Sequence, residues 1–194
     1  MAAGAQEVVL VRHGETEWSR AGKHTGRTDV RLAERGKAQA RAVGEALKDY
    51  RFALVLTSPL ARAVQTCSLA GLGDAAEERE DLREWDYGAY EGLTTAEIRK
   101  ERPGWTVWAE GVPGGESAAQ VGGRVDRVLA EVRLVEGDVA LFAHGHLLRV
   151  LAARWLGLEP SAGRLFALDP ATISILGYER ETSVIQLWNQ DAAE

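Results

Sequence analysis

Val8-Val-Leu-Val-Arg12-His13-Gly14 sets the pattern of the chain: an unbroken apolar run of strand length that ends on an arginine and a histidine. A strand half-exposed to water would alternate apolar and polar residues, and this one does not, so it reads as a strand buried on both faces of a parallel sheet. Two further runs repeat the pattern. Leu54 to Thr57 leads into Ser58-Pro-Leu-Ala-Arg62, and Val139 to Phe142 leads through Ala143 into His144-Gly145-His146. Between the runs, stretches 33–49, 59–71, 117–135 and 146–156 carry apolar residues at three- and four-residue spacing and are predicted as helices. Ser58 with Pro59 predicts the start of the second helix, and the capping pattern Ser117-Ala-Ala-Gln120 the start of the third. Thr172 to Leu176 and Ser183 to Trp188 predict a closing pair of strands around Glu179-Arg180-Glu181. The alternation predicts an α/β fold, a three-layer sandwich with a mostly parallel central sheet between helices, as one domain over 1–194.

In a sheet of this kind the carboxyl ends of the strands open on a shared crevice, the usual ligand site. Arg12, His13, Arg62 and His144 are all expected there. Each has an ordinary explanation when taken alone: a sheet-edge charge, an exposed helix residue, a hydrogen-bonded loop histidine. Their convergence is harder to explain that way. A cation in the first turn of a helix, as Arg62 is predicted to be, meets the positive end of the helix dipole, and a bound anion would reverse that unfavourable sign. Two guanidinium forks suit phosphate oxygens. The expectation is a local electropositive phosphate pocket, with His24 and His146 left open.

Composition limits the alternatives. The 194 residues carry a formal net charge of -6, against the diffuse basic field that nucleic acid or an anionic membrane would need. Met1 to Gln6 has no basic leader, and the first apolar run is too short to span a membrane, so a cytoplasmic protein is expected. One cysteine, Cys67, fits a reducing compartment, and Gly73 stands where a cysteine phosphatase loop would place an arginine. No G-x-x-x-x-G-K-[ST] pattern occurs, which speaks against a P-loop enzyme. His144 and His146 lack an evident third and fourth ligand, which speaks against zinc. A homodimer is left open.

Arg12-His13-Gly14-Glu15-Thr16 resembles the signature of the histidine phosphatase superfamily, the branch that contains cofactor-dependent phosphoglycerate mutases and small phosphatases. The likeness continues through Thr25-Gly26, Ser58 to Thr66, Leu82-Arg-Glu84-Trp-Asp-Tyr87-Gly88, Pro113-Gly-Gly-Glu-Ser117 and Ala143 to His146. The resemblance implies that His13 is the nucleophile, its other ring nitrogen held by a carbonyl near Gly14. It implies that Arg12, Arg62 and His144 surround the phosphoryl oxygens and that Glu84 is the general acid and base. It assigns Ser19, Thr25, Gly26, Tyr87, Gly145 and His146 to substrate contacts, and no metal or cofactor. A carboxyl in that role must hold a proton near the working pH, which implies activity at acidic to neutral pH. Ser19 in place of the asparagine usual in mutases, His24 in place of an aromatic, and the lack of a longer shielding insertion favour a phosphatase over a mutase. A phospho-ligand-binding, non-catalytic member of the fold is a further alternative. Glu84 to Gly92, with Trp105 and Trp108, is similar to small bacterial acid phosphatases and a sedoheptulose bisphosphatase group, which implies a small phosphorylated substrate such as a sugar phosphate. Trp105 and Trp108 are read either as an aromatic wall above the pocket or as ordinary core.

Overall fold

The protein was analysed as a computed structural model that describes residues 6–192. Met1 to Ala5, part of the leader reading, and residues 193–194 lie outside the described residues, although the single-domain expectation included them.

In chain order, β1 is Val8–Arg12, α1 Glu17–Arg20, α2 Glu34–Leu47, β2 Phe52–Thr57, α3 Ala61–Leu69 and β3 Ala76–Glu78. They are followed by α4 Thr95–Glu101, α5 Val107–Glu110, α6 Ala118–Val132, β4 Asp138–Ala143, α7 Gly145–Trp155, β5 Thr172–Glu179 and β6 Thr182–Asp191. The strands form one sheet in the order β3-β2-β4-β1-β5-β6. β1 pairs parallel with β4, β4 with β2 and β2 with β3, whereas β5 runs antiparallel to both β1 and β6.

Burial follows from the missing polar alternation. Val8 and Leu10 of β1 pack with Leu141 of β4 and with α6 and α7, through Val121, Val125, Leu147 and Leu151. Val9 and Val11 point the other way, with Val43 of α2, Val55, Cys67 of α3 and Phe142. These two cores on opposite faces of the sheet make the three layers. Cys67 is buried, and burial pushes its thiol up to about 12, as suits a packing residue. No helix among the described residues is long and apolar enough to cross a membrane.

The register brings the site together. Arg12 pairs with Ala143, and Thr57 with Phe142. The ladder then runs one step further, His13 N donating to Ala143 O at 3.0 Å and Ser58 N to Phe142 O at 2.9 Å. His13, Ser58 and His144 therefore leave the sheet at one level. This corrects the expected start of the second helix: α3 begins at Ala61 with Leu60 as its N-cap. Ser58 still belongs to the strand edge, and its hydroxyl lies 2.7 Å from His144 Nε2 and accepts from the N–H of Leu60 at 3.3 Å, so it lies two residues before the N-cap and does not cap the first turn of α3. The Ser117-Gln120 capping box opens α6 as expected.

Glycine fixes the turn after β1. A Cβ on Gly14 would lie 2.4 Å from Gly36 O, and one on Gly36 would lie 2.1 Å from Glu15 O. Only a pair of glycines lets the loop carrying His13 rest this closely on α2.

Candidate active site

His13 is held in one tautomer. Its Nδ1 lies 2.8 Å from Gly14 O, and since a carbonyl only accepts, Nδ1 carries the proton and Nε2 keeps its lone pair. Burial, followed by the charges of Arg62 and Arg12, holds its pKa well below the usual histidine value, so the ring is neutral. A neutral ring with its free nitrogen toward a cleft has the form of a nucleophile.

Arg62 is wholly buried at the second position of α3. Its Nη2 donates to Thr25 O at 3.0 Å and Gly26 O at 2.9 Å, its Nη1 to Thr28 O at 3.0 Å and its Nε to His144 Nδ1 at 3.2 Å. Because Arg62 can only donate, His144 accepts on Nδ1, carries its proton on Nε2 and gives it to Ser58 Oγ. Both ring nitrogens of His144 are thus engaged, and the ring stands edge-on to His13 with centroids 5.2 Å apart. Burial, then Arg62, holds the His144 pKa well below its usual value. Gly26 does not line the cleft; its carbonyl supports Arg62 and its N–H donates to Glu91 Oε1. Arg12 is anchored by Leu168 O, while its Nε is buried without a hydrogen-bond partner among the described residues. An unmatched guanidinium N–H is costly to bury, and an oxyanion in the cleft offers a partner for it.

Glu84 faces this group across the cleft and is 7% exposed. Its Oε1 accepts from Trp85 N at 3.0 Å and Leu147 N at 2.9 Å, and its Oε2 from His146 N at 3.0 Å. Two of these donors belong to the first turn of α7, so the positive end of that helix grips the carboxyl. With both acceptor positions of Oε1 occupied, Oε2 keeps one for exchange with a ligand.

The cleft has a volume of about 270 Å³, small for a ligand pocket. It is also lined by Ser19, Thr25, Tyr87, Gly145 and His146. Some of these have prior engagements. The Ser19 hydroxyl and Thr16 form the capping box of α1, and the Thr25 hydroxyl donates to Lys23 O at 3.1 Å. The Tyr87 hydroxyl lies 2.6 Å from His146 Nδ1, and burial, followed by the charge of Glu84, raises the Tyr87 pKa well above its usual value. Gly145 sits against Arg12, where an added Cβ would be 3.3 Å from the guanidinium carbon. His24 closes one wall, with Nε2 3.2 Å from Thr95 Oγ1. Trp105 is core, its ring 1% exposed, whereas Trp108 stacks under Arg149 at 4.8 Å and beside His146.

Arg149 and Lys23 also line the cleft and were missed in the sequence. Arg149 follows His146 by three positions on α7, a spacing that shares a helix face and would have revealed it. Lys23 carries no such signal. It arrives on a loop held by His24 N donating to Leu93 O at 2.8 Å.

Known proteins resemble this chain in sequence and fold. Residues 8–191 match the family described as the histidine phosphatase superfamily (branch 1). An acid phosphatase of Mycobacterium tuberculosis is 43% identical over 93% of this chain and 92% of its own length. The sedoheptulose 1,7-bisphosphatase of Saccharomyces cerevisiae is 39% identical over 77% of this chain and 67% of its own. A solved structure of an open-reading-frame product from Mycobacterium tuberculosis superposes with a TM-score of 0.92 at 40% identity, covering 96% of this chain and 98% of that one. The chain belongs to the histidine phosphatase superfamily, branch 1.

Proposed function

We propose that this phosphoric monoester hydrolase cleaves small phosphorylated metabolites, sugar phosphates foremost, through a phosphohistidine on His13 and without a metal ion. The observation that carries the reading is the pinned tautomer of His13, whose Nε2 lone pair stands beside two arginines. Nε2 attacks phosphorus in line as the ester P–O bond breaks, and the leaving oxygen takes a proton from Glu84 Oε2. Water then gives a proton to the same carboxylate and attacks phosphorus, the P–N bond breaks, and orthophosphate leaves with His13 restored. Arg12 and Arg62 offset the charge on the equatorial oxygens in both steps, with Ser58 and His144 holding Arg62 in place.

The cations of the cleft wall support the substrate class. Lys23 and Arg149 line it, and neither has a carboxylate ion partner among the described residues. Arg149 is oriented by Gly163 O at 3.1 Å and by the Trp108 ring. Two unneutralised cations in the wall of the cleft suit a leaving group that is itself polar or anionic, as in a sugar bisphosphate, and the yeast relative carries such a substrate in its name.

The test is release of inorganic phosphate from an array of phosphorylated metabolites with a chelator present, for wild type and His13→Ala. Turnover by wild type alone is expected, highest on sugar mono- and bisphosphates. Turnover that needs a metal, or equal turnover by the variant, would remove the mechanism. Movement of label within 3-phosphoglycerate without phosphate release would make the protein a mutase.

A further inference from the structure

The segment Pro113 to Ser117 matches the family pattern but touches neither His13 nor the arginines around it. Its Glu116 and the buried Arg124 on α6 instead form a clamp on the chain that carries Glu84. Arg124 is 8% exposed. Its Nη1 donates to Asp81 O at 2.8 Å and Arg83 O at 2.6 Å, and its Nη2 to Glu84 O at 3.1 Å. The same guanidinium is fixed by Glu116, Nε to Oε1 at 2.9 Å and Nη2 to Oε2 at 3.1 Å. Glu116 grips the next residues along: Asp86 N donates to its Oε2 at 2.9 Å, Trp85 Nε1 to its carbonyl at 2.9 Å, and its own N–H to Asp86 O at 3.0 Å. A Cβ on Gly115 would lie 2.2 Å from Asp86 O, so glycine is what lets the two segments meet. Ser117 then caps α6 and fixes the base of Arg124.

A loop normally turns its carbonyls to solvent or to a backbone partner, and this one turns three to a single buried guanidinium. The carbonyl of residue 81 belongs to the 3-10 turn Glu80–Leu82, and those of residues 83 and 84 lie in the irregular stretch between that turn and residue 88. The carboxyl of Glu84 is held from the front by α7, and its backbone from behind by Arg124. We infer that Arg124, locked by Glu116, is the positioning residue for Glu84, setting the distance between its carboxyl and the leaving oxygen bound at His13. The inference rests on Glu84 being the acid and base. It gives the Gly115-Glu116-Ser117 stretch a function that its distance from the nucleophile hides.

The measurement is kcat/KM, which reports phosphoryl transfer to His13, for an alkyl phosphate and for p-nitrophenyl phosphate. Only the alkyl leaving group needs a well-placed acid. Arg124→Gln and Glu116→Gln are compared with Glu84→Gln and with the Arg124→Gln/Glu84→Gln pair, and the inhibition constant for vanadate gauges whether each phosphate pocket is intact. The expected result is that the alkyl-to-aryl ratio falls about tenfold or more in Arg124→Gln, since a small misplacement of a reacting group costs that much. Glu116→Gln should fall in the same direction, Glu84→Gln further, and the double variant no further than Glu84→Gln. Arg124→Lys, which keeps the charge but not the fork, should recover part of the ratio. A ratio unchanged in Glu116→Gln and in whichever Arg124 variant folds, or one that falls as far again in the double variant as in Arg124→Gln alone, overturns the positioning role. An unchanged ratio in Glu84→Gln itself overturns the acid role instead.

Discussion

Taking the ligand-free protein from pH 7.5 to pH 5.5 should lower its unfolding free energy by about 3 kcal/mol, through His13 and His144. Both are buried in the folded chain, and burial together with Arg62 holds their pKa values well below the ordinary histidine value. In the unfolded chain they titrate normally. As the pH falls below about 6.5 the unfolded state therefore gains protons that the folded state refuses, so stability is present above that pH and is lost on the way down to the folded values. For one histidine the loss over this window is about 1.4 kcal/mol, roughly a quarter of it by pH 6.5 and the rest below. His146, also lowered by burial but part-exposed, adds to the loss in the same direction. Against a typical total of about 5–15 kcal/mol the change is large. Urea unfolding followed by tryptophan fluorescence at three pH values measures it directly. Saturating phosphate should shrink the effect, because a bound anion offsets the arginines. His144→Asn should show a pH loss smaller by about 1.4 kcal/mol. Wild-type stability that is flat or rises toward pH 5.5 would refute the reasoning, and an unchanged slope in the variant would remove His144 from it.

Gly14→Ala places a Cβ 2.4 Å from Gly36 O, so it should cost about 2 kcal/mol or more of stability and lower kcat as His13 is displaced; a variant with wild-type melting temperature and turnover would contradict the close-approach argument. Cys67 is 1% exposed and its thiol is pushed up to about 12, so a disulfide reagent at pH 8 should titrate no thiol in the native protein and one after denaturation. Tyr87→Phe removes the hydroxyl 2.6 Å from His146 Nδ1 and leaves a cleft nitrogen unpaired, at a cost of about 1–3 kcal/mol; the expected readout is a lower melting temperature with a raised KM, and an unchanged KM would separate His146 from substrate contact.

The strands that build the site were legible because burial on both faces leaves an unbroken apolar run, as in Val8 to Val11 and Val139 to Phe142. β3 was not, since Ala76-Glu77-Glu78 has no apolar signature and becomes a strand only by pairing with β2. The start of α3 was misplaced because Ser58, a good cap by type, sits two residues before the N-cap Leu60 and shares its hydroxyl between the Leu60 N–H and His144, a partner 86 positions away. α4 was passed over although Thr94 and Glu97 form a capping box, its apolar face being reduced to buried Ile98. Within the site, chemistry attached to strand ends was readable and chemistry delivered by loops was not. Arg149 shares a helix face with His146, but Lys23 reaches the cleft only because the 22–25 loop is pinned to the segment before α4, through the bridge from Lys23 to Thr94. Of the two tryptophan readings the core one holds for Trp105, while Trp108 packs partly buried against the same core and under Arg149, outside the lining of the cleft.

Helix N-termini suit an anion, and in this fold two of them are given to carboxylates of the chain. The Ala61 N–H at the start of α3 donates to Asp29 Oδ1 at 2.7 Å, and the His146 and Leu147 N–H groups of α7 go to Glu84. Both positive helix ends are thus occupied by carboxylates of the chain itself. A phosphate in the cleft must find its counter-charges on side chains, and that is where the unmatched donors are: Arg12 with an unpaired Nε, and Lys23 and Arg149 without carboxylate partners. In a chain of net charge -6 this concentrates positive charge at one place and leaves the surface acidic. The separation has a catalytic logic. Held by helix amides, Glu84 has anchors that do not depend on phosphate, so in the proposed mechanism the acid that serves the leaving oxygen is already there as a base when the product alcohol departs and water takes its position. An acid held by the phosphate-binding arginines would shift each time the phosphate charge changed, and the two half-reactions would not share one carboxyl.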